Sequence, residues 1–232
     1  NTWVESDSTA TNHRRKRTAP SRNLRSIGPT VTKKDIRQQL RTLMACIEPA
    51  SLHERSVQAC LRLTQTREYA RSEIIMVFLS LPNEVDTTSL VLQAWRDRKR
   101  VLAPKVSWEQ RRMLPIQIDS LSNDLSESVL GIREPADGVP IPLANIDMVI
   151  VPGMGFDLKG NRLGRGRGFY DRFLAHRDWA GIACGLALED QVVEEVPVTE
   201  LDMNVQMLVT DVTVRRFPST PASHQETADS DK

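Results

Sequence analysis

The stretch Arg162-Leu-Gly-Arg-Gly-Arg-Gly-Phe-Tyr170 interleaves positive charge with glycine. It follows Pro152-Gly-Met-Gly-Phe-Asp157 and Gly160 so closely that six of the chain's 11 glycines fall between Gly153 and Gly168. Glycine admits positive φ and lets a ligand approach the backbone, so Gly164, Gly166 and Gly168 can turn their N–H groups toward an anion. The apolar run from Ile146 to Val151 reads as a strand leading in, and Phe169 to Arg177 resumes helical spacing. That helix adds unpaired N–H groups and the positive end of its dipole. Arg162, Arg165 and Arg167 add formal charge. Together these features point to a polyphosphate. The loop is not a P-loop, because Gly168-Phe169-Tyr170 stands where Gly-Lys-Ser/Thr would close one. Its G-x-G-x-G spacing also differs from a dinucleotide fingerprint. The pattern alone leaves open a surface loop of solvated arginines.

Four further groups of residues could carry chemistry. Lys33, Arg37 and Arg41 recur every fourth position on a predicted helix from Lys33 to Ile47, whose apolar face is Ile36, Leu40, Leu43, Met44 and Ile47. Such a row can border a cleft, although spacing alone favours a solvated face. Glu84 and Asp86 follow the apolar run Ile74 to Leu81, which ends at Pro82. At the carboxyl end of a central strand Glu84 is placed for ligand contact, while Asp86 and Thr87 suit the cap of the next helix. His53 has no second ligand at metal spacing and reads as a surface residue. Cys46, Cys60 and Cys184 form no C-x-x-C pair and suit buried thiols in a reducing compartment rather than disulfides or zinc.

The elements that position these residues alternate. Helices are predicted at Lys33 to Ile47, from a Ser51/Glu54 capping box to about Ala70, around Leu90 to Trp95, and at Phe169 to Arg177. Strands are predicted at Ile74 to Leu81, Val101 to Val106, Met113 to Ile118, Ile146 to Val151, Gly181 to Leu188 and Val205 to Val209, with a short helical turn at Asp190 to Pro197. Residues 119–145 are Ser, Pro, Asp and Gly-rich and read as a long irregular connection. This order predicts a single α/β domain over 31–216: a mostly parallel or mixed central sheet with helices on both faces, in Rossmann-like layering. Residues 1–30, with His13-Arg-Arg-Lys-Arg17, form a basic tail expected to be disordered, and residues 217–232 a second such tail. At 232 residues and net charge +1 the chain supports one core and has no bulk field for nucleic acid or membrane. No apolar run approaches the length of a membrane span.

Beyond the loop, Lys33-Lys-Asp-Ile-Arg37, Leu79-Ser-Leu-Pro-Asn-Glu-Val-Asp-Thr87, Gly131-Ile-Arg-Glu-Pro135, Gln191, Pro197 and Asp202 occur in an order that resembles 5-formyltetrahydrofolate cyclo-ligases, also called methenyltetrahydrofolate synthetases, from about Lys33 to Thr210. The resemblance implies closure of 5-formyltetrahydrofolate to 5,10-methenyltetrahydrofolate, driven by ATP with Mg²⁺ and releasing ADP and phosphate. It implies ATP contacts at Lys33, Lys34, Asp35, Ile36 and Arg37, and at Arg162, Leu163, Gly164, Arg165, Gly166, Arg167, Gly168, Phe169 and Tyr170. Folate contacts would fall on Leu79, Glu84 and the segment Arg165 to Phe169, including Gly166, Arg167 and Gly168. Catalysis would rest on Arg37, Arg165, Arg167 and Tyr170, with Mg²⁺ at Asp171 and Asp202. A cytoplasmic monomer is expected, with ATP and the folate as its partners and neither nucleic acid nor membrane.

Three positions depart from the family's pattern. Phe169 stands where tyrosine is frequent, Leu201 where His or Asn is common before Asp202, and Asn83 where glycine is common. None removes a charged group. The rival reading is an inactive nucleotide-binding relative with a regulatory role, which would lose Glu84 or the aspartates, and this sequence keeps all three. An RNA-binding role would ask for exposed aromatics beside the basic loop, and the sequence offers few.

Overall fold

The structure, a computed structural model, describes residues 31–127 and 133–218. The expected tail 1–30, most of the expected tail 217–232, and Gly131 and Ile132 lie outside the described residues. In chain order the elements are helices α1 (Lys33–Ala45), α2 (Pro49–Thr64) and α3 (Arg67–Arg71), strand β1 (Ile74–Met76), helix α4 (Thr88–Arg96), and strands β2 (Arg100–Ser107), β3 (Arg112–Gln117), β4 (Leu125–Glu127), β5 (Arg133–Pro135), β6 (Met148–Val151), β7 (Gly155–Phe156) and β8 (Arg162–Leu163). Helix α5 (Phe169–Leu174) and strands β9 (Ile182–Leu186), β10 (Met207–Val209) and β11 (Val214–Arg216) complete the fold.

Seven strands form one sheet in the order β11-β10-β9-β6-β1-β2-β3. The five inner strands pair in parallel and the two outermost pair antiparallel to their neighbours, so the sheet is mixed. Strand pleat divides the core cleanly in two. Ile75, Val101, Met148, Ile150, Cys184 and Met207 face a layer built by α2, α3 and α4, including Leu63, Tyr69, Leu90 and Val91. Met76, Leu102, Val149, Val151, Ala183 and Leu208 face the opposite layer, where Phe156, Phe173, Leu174 and Trp179 pack. The uninterrupted burial of Met148–Val151 is the signature of a strand covered on both faces.

Several boundaries differ from the sequence expectation. Helix α2 starts at Pro49 rather than at Ser51, because proline at the first helical position is already set to helical φ and needs no donor. The expected second helix also breaks at Thr66, whose hydroxyl accepts from Tyr69 N and caps the separate α3. Strand β1 is shorter than Ile74 to Leu81: Val77 N still reaches Leu102 O at 2.8 Å, after which Ser80 Oγ bonds Val85 O at 2.7 Å and curls the chain into a turn. Leu43, assigned to the buried face of α1, is exposed, while Ile36, Leu40 and Met44 are buried.

The strand order reverses between β6 and β1. From β1 the chain builds outward to β2, and from β6 it builds the other way to β9 and β10. Loops leaving the carboxyl ends of two such adjacent strands diverge to opposite sides and open a crevice between them, the place where open α/β sheets hold ligands.

Candidate active site

A cleft of about 780 Å³ opens at that reversal. Phe78 and Leu79, following β1, line one wall, and Pro152 and Gly153, following β6, begin the other. Past Gly153 the chain folds into the short antiparallel hairpin β7–β8, which periodicity did not reveal because each strand spans only two residues. The hairpin delivers Arg162 and the segment Gly164 to Gly168 into the cleft. Gly166 and Gly168 have φ of 90° and 66°, the left-handed region anticipated for an anion-facing loop. Gly164 serves a different need: a Cβ there would lie 2.6 Å from Arg162 Nη1. Gly168 is the N-cap of α5, so the loop ends at a helix start.

Arg162 is nearly sealed, with its side chain 4% exposed. Its Nη2 donates to Asp171 Oδ1 at 2.7 Å, and Met203 N reaches the same oxygen at 3.2 Å. Its Nε is buried without a partner among the described residues. The guanidinium lies 5.8 Å from the ring centre of Tyr170. Desolvation first, then the charge of Glu84, push the Tyr170 phenol well above its ordinary value, so it stays a proton donor.

Helix α1 supplies the basic side chains of the neighbouring wall. Ile36 and Leu40 pack on Leu163 and Val196, which turns Lys33 and Arg37 inward. Arg37 Nε donates to Gly164 O at 2.8 Å. Lys33 Nζ pairs with Asp202 Oδ2 at 2.5 Å, an oxygen that also accepts from Thr199 N and Oγ1. Burial works against the charged form of Asp202, but the hydrogen bonds from Lys33 and Thr199 outweigh it and hold the carboxyl below the usual range. Lys34, Asp35 and Ile36 lie outside the cleft lining. Lys34 is exposed, Asp35 completes a capping box with Thr32, and Ile36 is core.

Glu84 faces the loop from the β1 side. Its Oε2 accepts from Leu81 N at 3.0 Å, within a turn that Asn83 makes at φ 64°. Asparagine tolerates that region better than most residues, which accounts for its standing where a glycine is common. Oε1 receives Nε and Nη2 of Arg165 at 2.9 and 2.6 Å, a bridge across the cleft. Leu79, Arg167 and Phe169 also line it.

Sequence reasoning did not assign Trp108, Arg133, Glu134 or Arg172 to the cleft, yet all four line it. Trp108, at the tip of the β2–β3 hairpin, meets Phe169 edge-on at 5.2 Å between centroids, and Arg167 lies 5.7 Å from its ring. Arg172 Nε bonds Arg111 O at 2.8 Å and fastens that tip to α5. Long-range antiparallel pairing brings the tip there, and no local pattern announces it.

Asp171 and Asp202 fit a small hard cation in one respect. Each commits one carboxylate oxygen to protein donors, Oδ1 in Asp171 and Oδ2 in Asp202. The second oxygen of each makes no hydrogen bond among the described residues. One or two carboxylates beside substrate phosphates is the ordinary Mg²⁺ arrangement. Among the described residues no group of three acidic, His or Cys side chains forms an all-protein metal cage.

The sequence profile described as the 5-formyltetrahydrofolate cyclo-ligase family matches residues 29–211. The chain is 29% identical over 203 residues to the 5-formyltetrahydrofolate cyclo-ligase of Mus musculus, covering 82% of this chain and 93% of the mouse protein. With the Escherichia coli K12 protein of the same name it shares 34% identity over 178 residues, 75% of this chain and 96% of the relative. Among solved structures, the Aquifex aeolicus 5,10-methenyltetrahydrofolate synthetase superposes with a TM-score of 0.71 at 27% identity, covering 85% and 99% of the two chains. A Mycoplasma pneumoniae 5,10-methenyltetrahydrofolate synthetase, 18% identical, shares the fold at TM-score 0.64 over 77% and 98% of the chains.

Proposed function

This chain belongs to the 5-formyltetrahydrofolate cyclo-ligase family, and from that membership we propose how its cleft closes 5-formyltetrahydrofolate to 5,10-methenyltetrahydrofolate at the expense of ATP. The enzyme is a ligase. The observation that carries the residue assignment is the cleft itself, with a basic glycine loop on one wall and Glu84 on the other, joined by Arg165.

A formamide oxygen is a poor leaving group until it is phosphorylated. The formyl oxygen attacks the γ-phosphorus of ATP, its bond to phosphorus forms as the bond to ADP breaks, and an iminium phosphate results. The neighbouring folate nitrogen then attacks the activated carbon, loses its proton, and phosphate departs with the former formyl oxygen. Phosphoryl transfer asks chiefly for alignment and charge neutralisation. The N–H groups of the Gly164 to Gly168 segment, the start of α5, and Lys33, Arg37, Arg165 and Arg167 supply both. Arg162 neutralises Asp171 and supports the loop from beneath. Glu84 accepts hydrogen bonds from the pterin, a planar array of donors. Tyr170, kept protonated, offers an O–H to the transferring oxygen. Asp171 and Asp202 are the residues that would hold Mg²⁺, and the ion, when bound, would offset phosphate charge. The buried thiols Cys60 and Cys184 suit a reducing setting, while Cys46 is exposed; no described helix is long and apolar enough to cross a membrane.

The testing experiment follows the near-ultraviolet absorbance of methenyltetrahydrofolate as 5-formyltetrahydrofolate is mixed with enzyme. A rise that requires both ATP and Mg²⁺ is expected. A rise without ATP would overturn the ATP-driven mechanism, and no rise while calorimetry still detects ATP binding would overturn the reading in favour of an inactive relative.

A further inference from the structure

Gln191 sits in the 3₁₀ turn Glu189–Gln191 and is 3% exposed. Its side chain is spent entirely on backbone. Oε1 accepts from Leu188 N at 2.9 Å, and Nε2 donates to Gly153 O at 2.9 Å and Met154 O at 3.2 Å. Those two carbonyls lie where the chain leaves β6 for the β7–β8 hairpin, just as Pro152 and Gly153 enter the cleft wall. The turn is pressed onto the hairpin as well. Phe156 and Val192 form a parallel bridge, Val193 N reaches Phe156 O at 2.8 Å, and a Cβ on Gly155 would stand 3.3 Å from Gln191 O.

From behind, the turn is anchored by charge. Arg55 of α2 pairs with Asp190 and, at 2.6 Å, with Asp211. Asp211 Oδ1 accepts from Glu189 N at 2.7 Å, and Arg215 and Thr210 both donate to Glu189 Oε2. The anchoring runs from α2 and the β10–β11 turn to a single amide, which ends on the root of the glycine loop.

We propose that Gln191 is a positioning residue for ATP: its amide fixes the direction in which the chain leaves β6 and so places the Gly164 to Gly168 segment against the phosphates. The proposal rests on the ATP-dependent reading given above. Only an uncharged side chain that donates twice and accepts once satisfies three backbone groups in this place. A carboxylate of the same shape would aim an oxygen at two carbonyl oxygens unless it held a proton.

The test compares wild type, Gln191→Glu and Gln191→Leu in the full chain, with melting temperature and steady-state constants for both substrates from about pH 8 down to about pH 6. Gln191→Glu is expected to raise KM for ATP at the alkaline end by about fivefold or more, the scale of one lost neutral hydrogen bond. Its KM for the folate should change by less than its KM for ATP, and the gap in KM for ATP should close as pH falls and the carboxyl regains a donor. Arg55, Glu189, Asp190, Asp211 and Arg215, the charged groups facing the turn, are common to all three proteins, so variant-to-wild-type ratios cancel their titration. Gln191→Leu, lacking any donor, should keep its raised KM for ATP at every pH. Should it fail to fold, the Gln191→Glu ratio decides. A lowered melting temperature with KM for ATP equal to wild type throughout would make Gln191 merely structural and overturn the proposal, as would a Gln191→Leu gap that closes in parallel with that of Gln191→Glu. Wild type that forms no product with ATP would sink the functional reading, and this inference with it.

Discussion

Arg165 and Glu84 join the two walls of the cleft through a fork closing on one oxygen: both guanidinium donors reach Oε1 within 2.9 Å, while Oε2 is held by the backbone at Leu81. Arg165 is 52% exposed, so the pair adds little to stability. On the proposed reading its weight falls on recognition instead, since a folate donor that reached Glu84 would have to share or displace Arg165. Replacing Glu84 by Ala is expected to lower kcat/KM for 5-formyltetrahydrofolate by roughly 10- to 100-fold, the range for hydrogen bonds to a charged group. KM for ATP should move much less. Steady-state absorbance kinetics with each substrate varied in turn would check this, and equal losses for both substrates would remove the assignment of Glu84 to the folate.

Lys33→Ala and Arg37→Ala should act on the other substrate. Both side chains line the loop side of the cleft, and each removes one charge from the phosphate environment. A rise in KM for ATP of about tenfold is expected from each, again on the scale of a charge-assisted hydrogen bond. Titrating ATP at saturating folate measures it, and unchanged constants in both variants would separate α1 from the nucleotide.

Asp171 is expected to matter for folding before it matters for catalysis. Its partner Arg162 is sealed from water, and Asp171→Ala leaves that charge without its carboxylate. Breaking a buried pair in this way costs about 3 kcal/mol or more. Denaturant unfolding should show the loss without substrates or Mg²⁺ present, and a variant as stable as wild type would contradict the pairing.

Asp202 gives a signed prediction in pH. Its folded carboxyl is held below the usual range, so its contribution is full above the unfolded value, about 3.9. That contribution is lost as pH falls through the lower folded value. Melting temperatures of wild type and Asp202→Asn should therefore differ most at neutral pH and converge in acid. Curves that stay parallel to pH 3 or so would exclude the linkage.

The sequence carried the alternation of elements well because both layers of the core are periodic. The runs at Arg100–Ser107 and Met148–Val151 declare their strands within a residue or two. The row Lys33, Arg37, Arg41 shows where local reasoning stops. Spacing favours a solvated face, and Arg41, exposed and bonded to its neighbour Gln38, obeys it. Lys33 and Arg37 do not, because Ile36 and Leu40 must bury against Leu163 of a hairpin more than a hundred residues away, which carries the flanking charges inward. Trp108 and Arg172 were missed for the same reason, since their meeting depends on how β2 and β3 pair and where α5 docks.

The reversal of strand order also bears on how the protein comes into being. The walls of the cleft leave neighbouring strands, with Ile75 beside Met148 and Met76 beside Val149, yet these partners are far apart along the chain. An amino-terminal fragment that stops short of β6 lacks one wall of the cleft. The loop closure that unites β1 with β6 is a non-local step of the slower kind, and the two walls face each other only once it is complete. On the proposed reading, a ligand that needs both walls favours the finished molecule over a partial one, and ATP present at a hundred times its dissociation constant would add about 2.7 kcal/mol to the folded state by mass action.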